Sequence, residues 1–104
     1  MANRQNIYEI TNGRCFYCGC ELDIESFHAD HFVAKANGGK ESKNLVPACP
    51  DCNHCKGKLT IEEFRTKIEN LLDDRFVGKL IKKYYKIEKK NVKFFFEEVQ
   101  DGNL

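Results

Sequence analysis

The chain has 104 residues, 32% of them charged, a net charge of +1 and a mean hydropathy of −0.58. That length fits one domain with a modest core that a metal staple would help to hold, and the polarity places it among soluble proteins. No apolar run approaches the ~20 residues that a membrane span needs, and residues 1–8 lack the apolar stretch of a secretory signal, so a cytoplasmic location is expected.

In that compartment thiols stay reduced, and six cysteines read as metal ligands rather than disulfides. The charge is unevenly spread. Residues 1–59 carry seven basic and seven acidic side chains, whereas Arg75 to Lys93 hold eight basic residues and one acidic one, Glu88. A basic segment set apart in this way can meet phosphates.

Taken in order, Arg4 to Asn12 is predicted to form a short helix with Ile7 and Ile10 on one side, ended by Asn12-Gly13. Cys15-Phe16-Tyr17-Cys18-Gly19 suits a tight knuckle whose amides point at metal-bound sulfur. Glu21 to Glu25 is a polar connection. Ser26 to Val33 reads as a strand with Phe27 on one face and His28 and Asp30 on the other. Asn37-Gly38-Gly39 is a turn signal, Lys40 to Asn44 a polar loop, and Leu45-Val46 a short return strand. Pro50 to Lys56 reads as a helix with proline in its first turn and Gly57 at its end.

Thr60 and Glu63 have capping-box spacing, and the helix they start repeats Ile61, Phe64, Ile68, Leu71 and Leu72 at helical intervals. Asp73-Asp74 interrupts it. A further helix places Val77, Leu80, Ile81 and Tyr84 on one stripe and Lys79, Lys82, Lys83, Lys86 and Lys90 on a neighbouring one. That basic stripe is either a solvated face or a nucleic-acid contact, with Tyr84 and Tyr85 available to stack on bases. Val92 to Val99 reads as a final strand. Phe94-Phe95-Phe96 is expected inside it; exposed, it would imply a partner or a homodimer. The tail from Gln100 is polar.

Zinc takes four soft or borderline ligands in a tetrahedron, and paired Cys-x-x-Cys knuckles supply them. Cys15, Cys18, Cys49 and Cys52 give two such pairs, with thirty residues between them. Cys52 and Cys55 share the same spacing, but Cys55 would lie inside the helix, so the 49/52 pair is preferred and Cys20 and Cys55 are read as ordinary small side chains. Four protein ligands leave no open position, so this zinc is structural.

Phosphodiester hydrolysis needs a base to activate water and a cation to neutralise charge on the phosphate and the leaving oxygen. A neutral histidine suits the first task, and oxygen ligands suit a hard cation such as Mg²⁺ or Mn²⁺. Asp30, His31 and Asn53 form that set if a strand and a helix bring them together, and Cys49 and Cys52 immediately precede Asn53. His28 shares a strand face with Asp30 and could touch the site, although a packing or hydrogen-bonding role is favoured. Lys56 could bind phosphate or complement the helix C-terminus.

Cys15-x-x-Cys18-Gly19, Asp30-His31, Gly38-Gly39, Asn44-Leu45-Val46, Ala48-Cys49-x-x-Cys52-Asn53 and Lys56-Gly57 together resemble the HNH, or ββα-metal, nucleases over roughly residues 4–58. The resemblance implies that Asp30 binds a catalytic divalent metal and that His31 is the general base. It implies that Asn44 fixes the ββ loop and that Asn53, in a position held by His or Asn, supplies the second metal ligand. His54 directly follows Asn53 and is the alternative for that role; neighbouring helix positions point about 100° apart, so one of them faces the metal. The family often has proline a few residues after Asp-His, where this chain has Phe32-Val33-Ala34, a change expected to cost rigidity and not chemistry.

The expected fold is α+β: a small zinc-stapled ββα-metal core of treble-clef-like form over residues 4–58, with helices and a final strand over 59–104, all in one domain. The expected function is metal-dependent hydrolysis of DNA, with Lys56, Lys79, Lys82, Lys83 and Lys86 as candidate phosphate contacts. The rival readings are a zinc-stabilised nucleic-acid-binding module without catalysis, which would not need Asp30 and His31, and a ribonuclease on the same scaffold.

Overall fold

The computed structural model describes residues 3–33 and 44–99; the Asn37-Gly38-Gly39 turn, most of the Lys40–Asn44 loop and the tail from Gln100 lie outside them. The described elements are α1 (Arg4–Glu9), β1 (His28–His31), β2 (Leu45–Ala48), α2 (Pro50–Lys56), α3 (Ile61–Leu71), α4 (Val77–Tyr84), β3 (Lys86–Glu88), β4 (Asn91–Lys93) and α5 (Phe95–Glu98). Strands β1 and β2 pair antiparallel, with His28 opposite Ala48, Asp30 opposite Val46 and His31 opposite Leu45. β3 and β4 form a second antiparallel pair.

The N-terminal helix is shorter than predicted. Asn3 caps α1 by accepting from the Asn6 amide, and the chain turns after Glu9, with Asn12 at φ 52° and Gly13 at φ 80°. A Cβ on Gly13 would stand 2.7 Å from the Tyr8 ring, so the glycine is needed for space as well as for its conformation. The Tyr8 hydroxyl donates to the Leu22 carbonyl at 2.9 Å, and the Arg4 guanidinium donates to the carbonyls of Ile24 and Phe27, both at 2.9 Å. These bonds fasten α1 to the segment entering β1. That strand is also shorter than Ser26 to Val33, because the Ser26 and Phe27 amides close a turn on the Asp23 carbonyl.

Helix α2 runs as expected. Cys49 is its N-cap, and Gly57 ends it at φ 50°. The capping box starts α3: Glu63 donates its amide to the Thr60 hydroxyl at 3.1 Å, and the Glu63 carboxylate accepts from the Thr60 amide at 2.9 Å. Asp74 separates α3 from α4 by accepting from the amides of Phe76 and Val77 at 2.9 and 2.8 Å.

Two expectations in the C-terminal half are corrected. The inward face of α4 is Gly78, Ile81 and then Tyr85, while Leu80 and Tyr84 are half exposed. The cause is Gly78: a Cβ there would lie 2.2 Å from the Leu72 carbonyl oxygen, so the glycine allows α4 to approach the end of α3 closely and sets its rotation. Secondly, Val92 to Val99 is not one strand. β4 ends at Lys93 and α5 begins at Phe95. The Phe95 and Phe96 amides donate to the carbonyls of Tyr17 and Phe16 at 2.8 and 2.9 Å, and the Glu97 carboxylate caps the turn by accepting from the Phe94 amide at 3.0 Å.

The three phenylalanines meet the cysteine knuckle. Phe94 is buried and stacks on Phe64 at 5.1 Å, and Phe96 stacks on Phe16 at 4.6 Å. Tyr17 sets its edge against Phe64 and Phe94. The core thus sits between α3, α5 and residues 15–18, directly behind β1 and β2.

Candidate metal centre and active site

Two knuckles from distant parts of the chain meet at one point. The sulfurs of Cys15, Cys18, Cys49 and Cys52 lie within 4.8 Å of one another, and Cys18 and Cys49 are 3.8 Å apart. A tetrahedron with Zn–S bonds of about 2.3 Å has sulfur–sulfur edges of about 3.8 Å, so the thiols fit that ion. Backbone amides surround them: those of Tyr17, Cys18 and Cys49 point at the Cys15 sulfur at 3.4, 3.5 and 3.4 Å, and that of Cys52 at the Cys49 sulfur at 3.4 Å. The Cys15 thiol is drawn far below its ordinary range by hydrogen bonding from Cys18, then from Cys49 and Cys52. Cys52 is pushed up by its hydrogen bonds to Cys15, Cys18 and Cys49 and by burial. Cys20 and Cys55 stand outside the cluster.

Sequence reading missed two tyrosines at this centre. The Tyr85 hydroxyl lies 2.9 Å from the Cys52 sulfur. Burial, and then the neighbouring Cys52, push its phenol well above the usual range. Tyr17 lies inside the first Cys-x-x-Cys, fully buried. Its position between two ligands was the available signal.

From Tyr17 the structure passes to the reactive cluster. The Tyr17 hydroxyl donates to Asp30 Oδ2 at 2.5 Å, and burial followed by the Asp30 charge holds its phenol protonated far above its ordinary range. Lys56 Nζ lies 3.3 Å from the same carboxylate oxygen and donates to the His31 carbonyl at 2.9 Å. Lys56 is fully buried and Asp30 nearly so. The ammonium is therefore an internal partner of β1 and is not presented to phosphate from outside, contrary to the expectation for it. Burying such a pair is tolerable only when both charges find partners.

His31 points to the opposite strand face from Asp30. Its Nε2 is buried without a hydrogen-bond partner among the described residues. Asn44 spans the two strands at their open end: its Nδ2 donates to the Val33 carbonyl at 2.7 Å, and its Oδ1 accepts from the Val33 amide at 2.9 Å. On α2, Asn53 faces β1, with its Nδ2 2.8 Å from His28 Nδ1, while His54 is exposed. Asn53 and Lys56 are three apart and share the helix face that covers His28 and Asp30. The basic residues of the C-terminal half lie elsewhere: Lys79, Lys82 and Lys83 are exposed on α4, and Lys86 pairs with Glu88 and Glu98 at 3.6 and 3.3 Å.

The family model for the HNH endonuclease matches residues 15–59, which carry both knuckles, β1, β2 and α2. Residues 15–59 belong to the HNH family. The chain is 39% identical over 56 residues, 49% of its length, to the Septu protein PtuB of Bacillus thuringiensis. Over 85 residues, 70% of the chain, it is 28% identical to YoqL of Bacillus subtilis (strain 168), a SPbeta prophage-derived protein named for an HNH endonuclease. The chain spans 22% and 36% of the lengths of these relatives. Among solved structures, the Type II-C Cas9 enzyme from Actinomyces naeslundii superposes with a TM-score of 0.54 and 29% identity, over 62% of this chain and 8% of that one. No described helix is long and apolar enough to cross a membrane.

Proposed function

We propose that the HNH domain is a metal-dependent endonuclease that hydrolyses DNA phosphodiester bonds, held in shape by a structural zinc on Cys15, Cys18, Cys49 and Cys52. The observation that carries the reading is the seating of α2 on β1, which puts Asn53 on the helix face that covers Asp30 while His31 leaves the same strand with a bare ring nitrogen.

A buried imidazole nitrogen without a partner is costly, by about 1–3 kcal/mol, and it is the atom that general-base catalysis requires. His31 takes a proton from water, the resulting hydroxide attacks phosphorus in line, and the 3′ oxygen departs. The oxygen donors of Asp30 and Asn53 suit Mg²⁺ or Mn²⁺, and such an ion, held there, would neutralise charge on the phosphate and the leaving oxygen. Tyr17 and Lys56 engage Asp30 through Oδ2, which fixes the carboxylate in direction. Asn44 holds the exit of β1, and with it the backbone that aims His31. The exposed Lys79, Lys82 and Lys83, with Lys86, extend a cationic surface for the nucleic acid backbone.

The test is cleavage of labelled duplex DNA and RNA, in separate and competing reactions with Mn²⁺, by the native protein and by His31→Ala. DNA cut at least as fast as RNA, with a loss of about 10²–10⁴-fold in the variant, is the expected result. Equal cutting by the variant would refute the base assignment, and preference for RNA would refute the substrate.

A further inference from the structure

We propose that His28 is a positioning residue that orients the Asn53 carboxamide for metal binding; the inference rests on the metal site proposed above. His28 and Asp30 share one face of β1, because strand side chains alternate, and α2 lies over that face. One turn of the helix then makes two contacts with it. Lys56 reaches Asp30, and Asn53 reaches His28 at 2.8 Å. His28 is exposed, so its imidazole adds little to the core, and the bond to Asn53 is its described polar contact.

The direction of that bond follows from its atoms. The amide nitrogen Nδ2 only donates, so Nδ1 of His28 accepts and the ring carries its proton on Nε2. With its nitrogen end engaged, the carboxamide presents Oδ1 on the other side. A hard cation takes the oxygen of a carboxamide and not the nitrogen. The last torsion of asparagine is broad and roughly two-fold. Without His28 the two ends would exchange freely, and the oxygen would be aimed correctly for only part of the time. The thiol clamp fixes both partners: His28 is paired with Ala48 at the end of β2, the residue before Cys49, and Asn53 directly follows Cys52.

The test is titration of the zinc-loaded protein with Mn²⁺ by calorimetry, alongside His28→Ala, His28→Asn, Asp30→Ala and Asn53→Ala, with zinc content and melting temperature recorded for each. His28→Ala is expected to bind Mn²⁺ at least about tenfold more weakly, the usual cost of losing a partner of a metal ligand, with zinc content and melting temperature unchanged. An asparagine at 28 can place an acceptor oxygen where Nδ1 was, and His28→Asn should return to within about threefold of the native affinity. Native affinity in His28→Ala would overturn the proposal. So would equal weakness in both variants, which would make the imidazole itself the requirement. If Asp30→Ala and Asn53→Ala also bind like the native protein, the metal site falls, and the role of His28 with it; if those two fail while His28→Ala does not, only the role of His28 falls.

Discussion

The thiol cluster and the proposed hard-cation site on the β1–α2 face are built on opposite plans. At the thiol clamp, four soft donors converge from two knuckles, amides point at the sulfurs, and a buried tyrosine closes one side. On the β1–α2 face, hard oxygen donors come one from a strand and one from a helix, steadied by Tyr17 and Lys56 at Asp30 and by His28 at Asn53. The first plan uses every position for protein and yields stability. The second commits two protein donors, so on the proposed function the other positions around the ion fall to water and phosphate. Cys49 caps α2 and Cys52 directly precedes Asn53, so the clamp sets the geometry of the face.

On that division, damage to the clamp is expected to cost the fold and damage to the face the reaction. The largest effect is expected from Cys49→Ser or from stripping the clamp with a strong chelator: loss of the circular-dichroism signal of the folded chain, since structural zinc contributes on the order of 10 kcal/mol to folding of small domains. Cys20→Ser and Cys55→Ser should leave zinc content unchanged, because neither belongs to the cluster.

Lys56→Met should lower stability by about 3–5 kcal/mol in denaturant titration, because it strands the Asp30 carboxylate in the interior. Lys56→Met with Asp30→Asn should recover part of that loss. Asn44→Ala removes both bonds to Val33 and should cost about 1–3 kcal/mol, together with activity, because the exit of β1 loosens.

Acid should act at the Arg65–Glu97 pair. Burial by itself would raise the Glu97 carboxyl, but the Arg65 guanidinium, bonded to both its oxygens at 2.7 Å, outweighs this and holds it below the usual glutamate value. A carboxyl lowered by folding stabilises above its unfolded pKa of about 4.3, and that contribution is lost as pH falls through the lower folded value. Glu97→Gln should therefore flatten the acid limb of a melting-temperature profile and leave zinc content unchanged. The smallest effect is expected at the β3–β4 turn, where Lys89 and Lys90 both take positive φ, 50° and 68°. Lys90→Gly should stabilise by about 1 kcal/mol in the same titration.

What could be read from the residues alone was whatever depends on short spacing. The Cys-x-x-Cys pairs, Asp30-His31, the proline-started α2 and the Thr60–Glu63 box are local patterns, and each of those elements stands where the pattern puts it. The failures are tertiary. Three consecutive phenylalanines carry no periodicity, and it is the Tyr17 and Phe16 carbonyls that take the Phe95 and Phe96 amides and end β4. The rotation of α4 depends on how near Gly78 comes to Leu72. Lys56, in the last turn of a helix, has the sequence signature of a dipole complement, yet the buried Asp30 draws it inside. The Asn53–His54 choice needed coordinates to show which one turns to β1.

The central claim is that the two centres are separable, zinc for the fold and a hard cation for the reaction. It is tested most directly by following plasmid nicking while Mn²⁺ is withdrawn with a weak chelator and then returned, with zinc content and circular dichroism measured at each step. The account predicts that nicking stops and resumes with Mn²⁺ while about one zinc per chain and the folded spectrum persist throughout. Nicking that continues on zinc alone, or no nicking in any divalent metal, would contradict it.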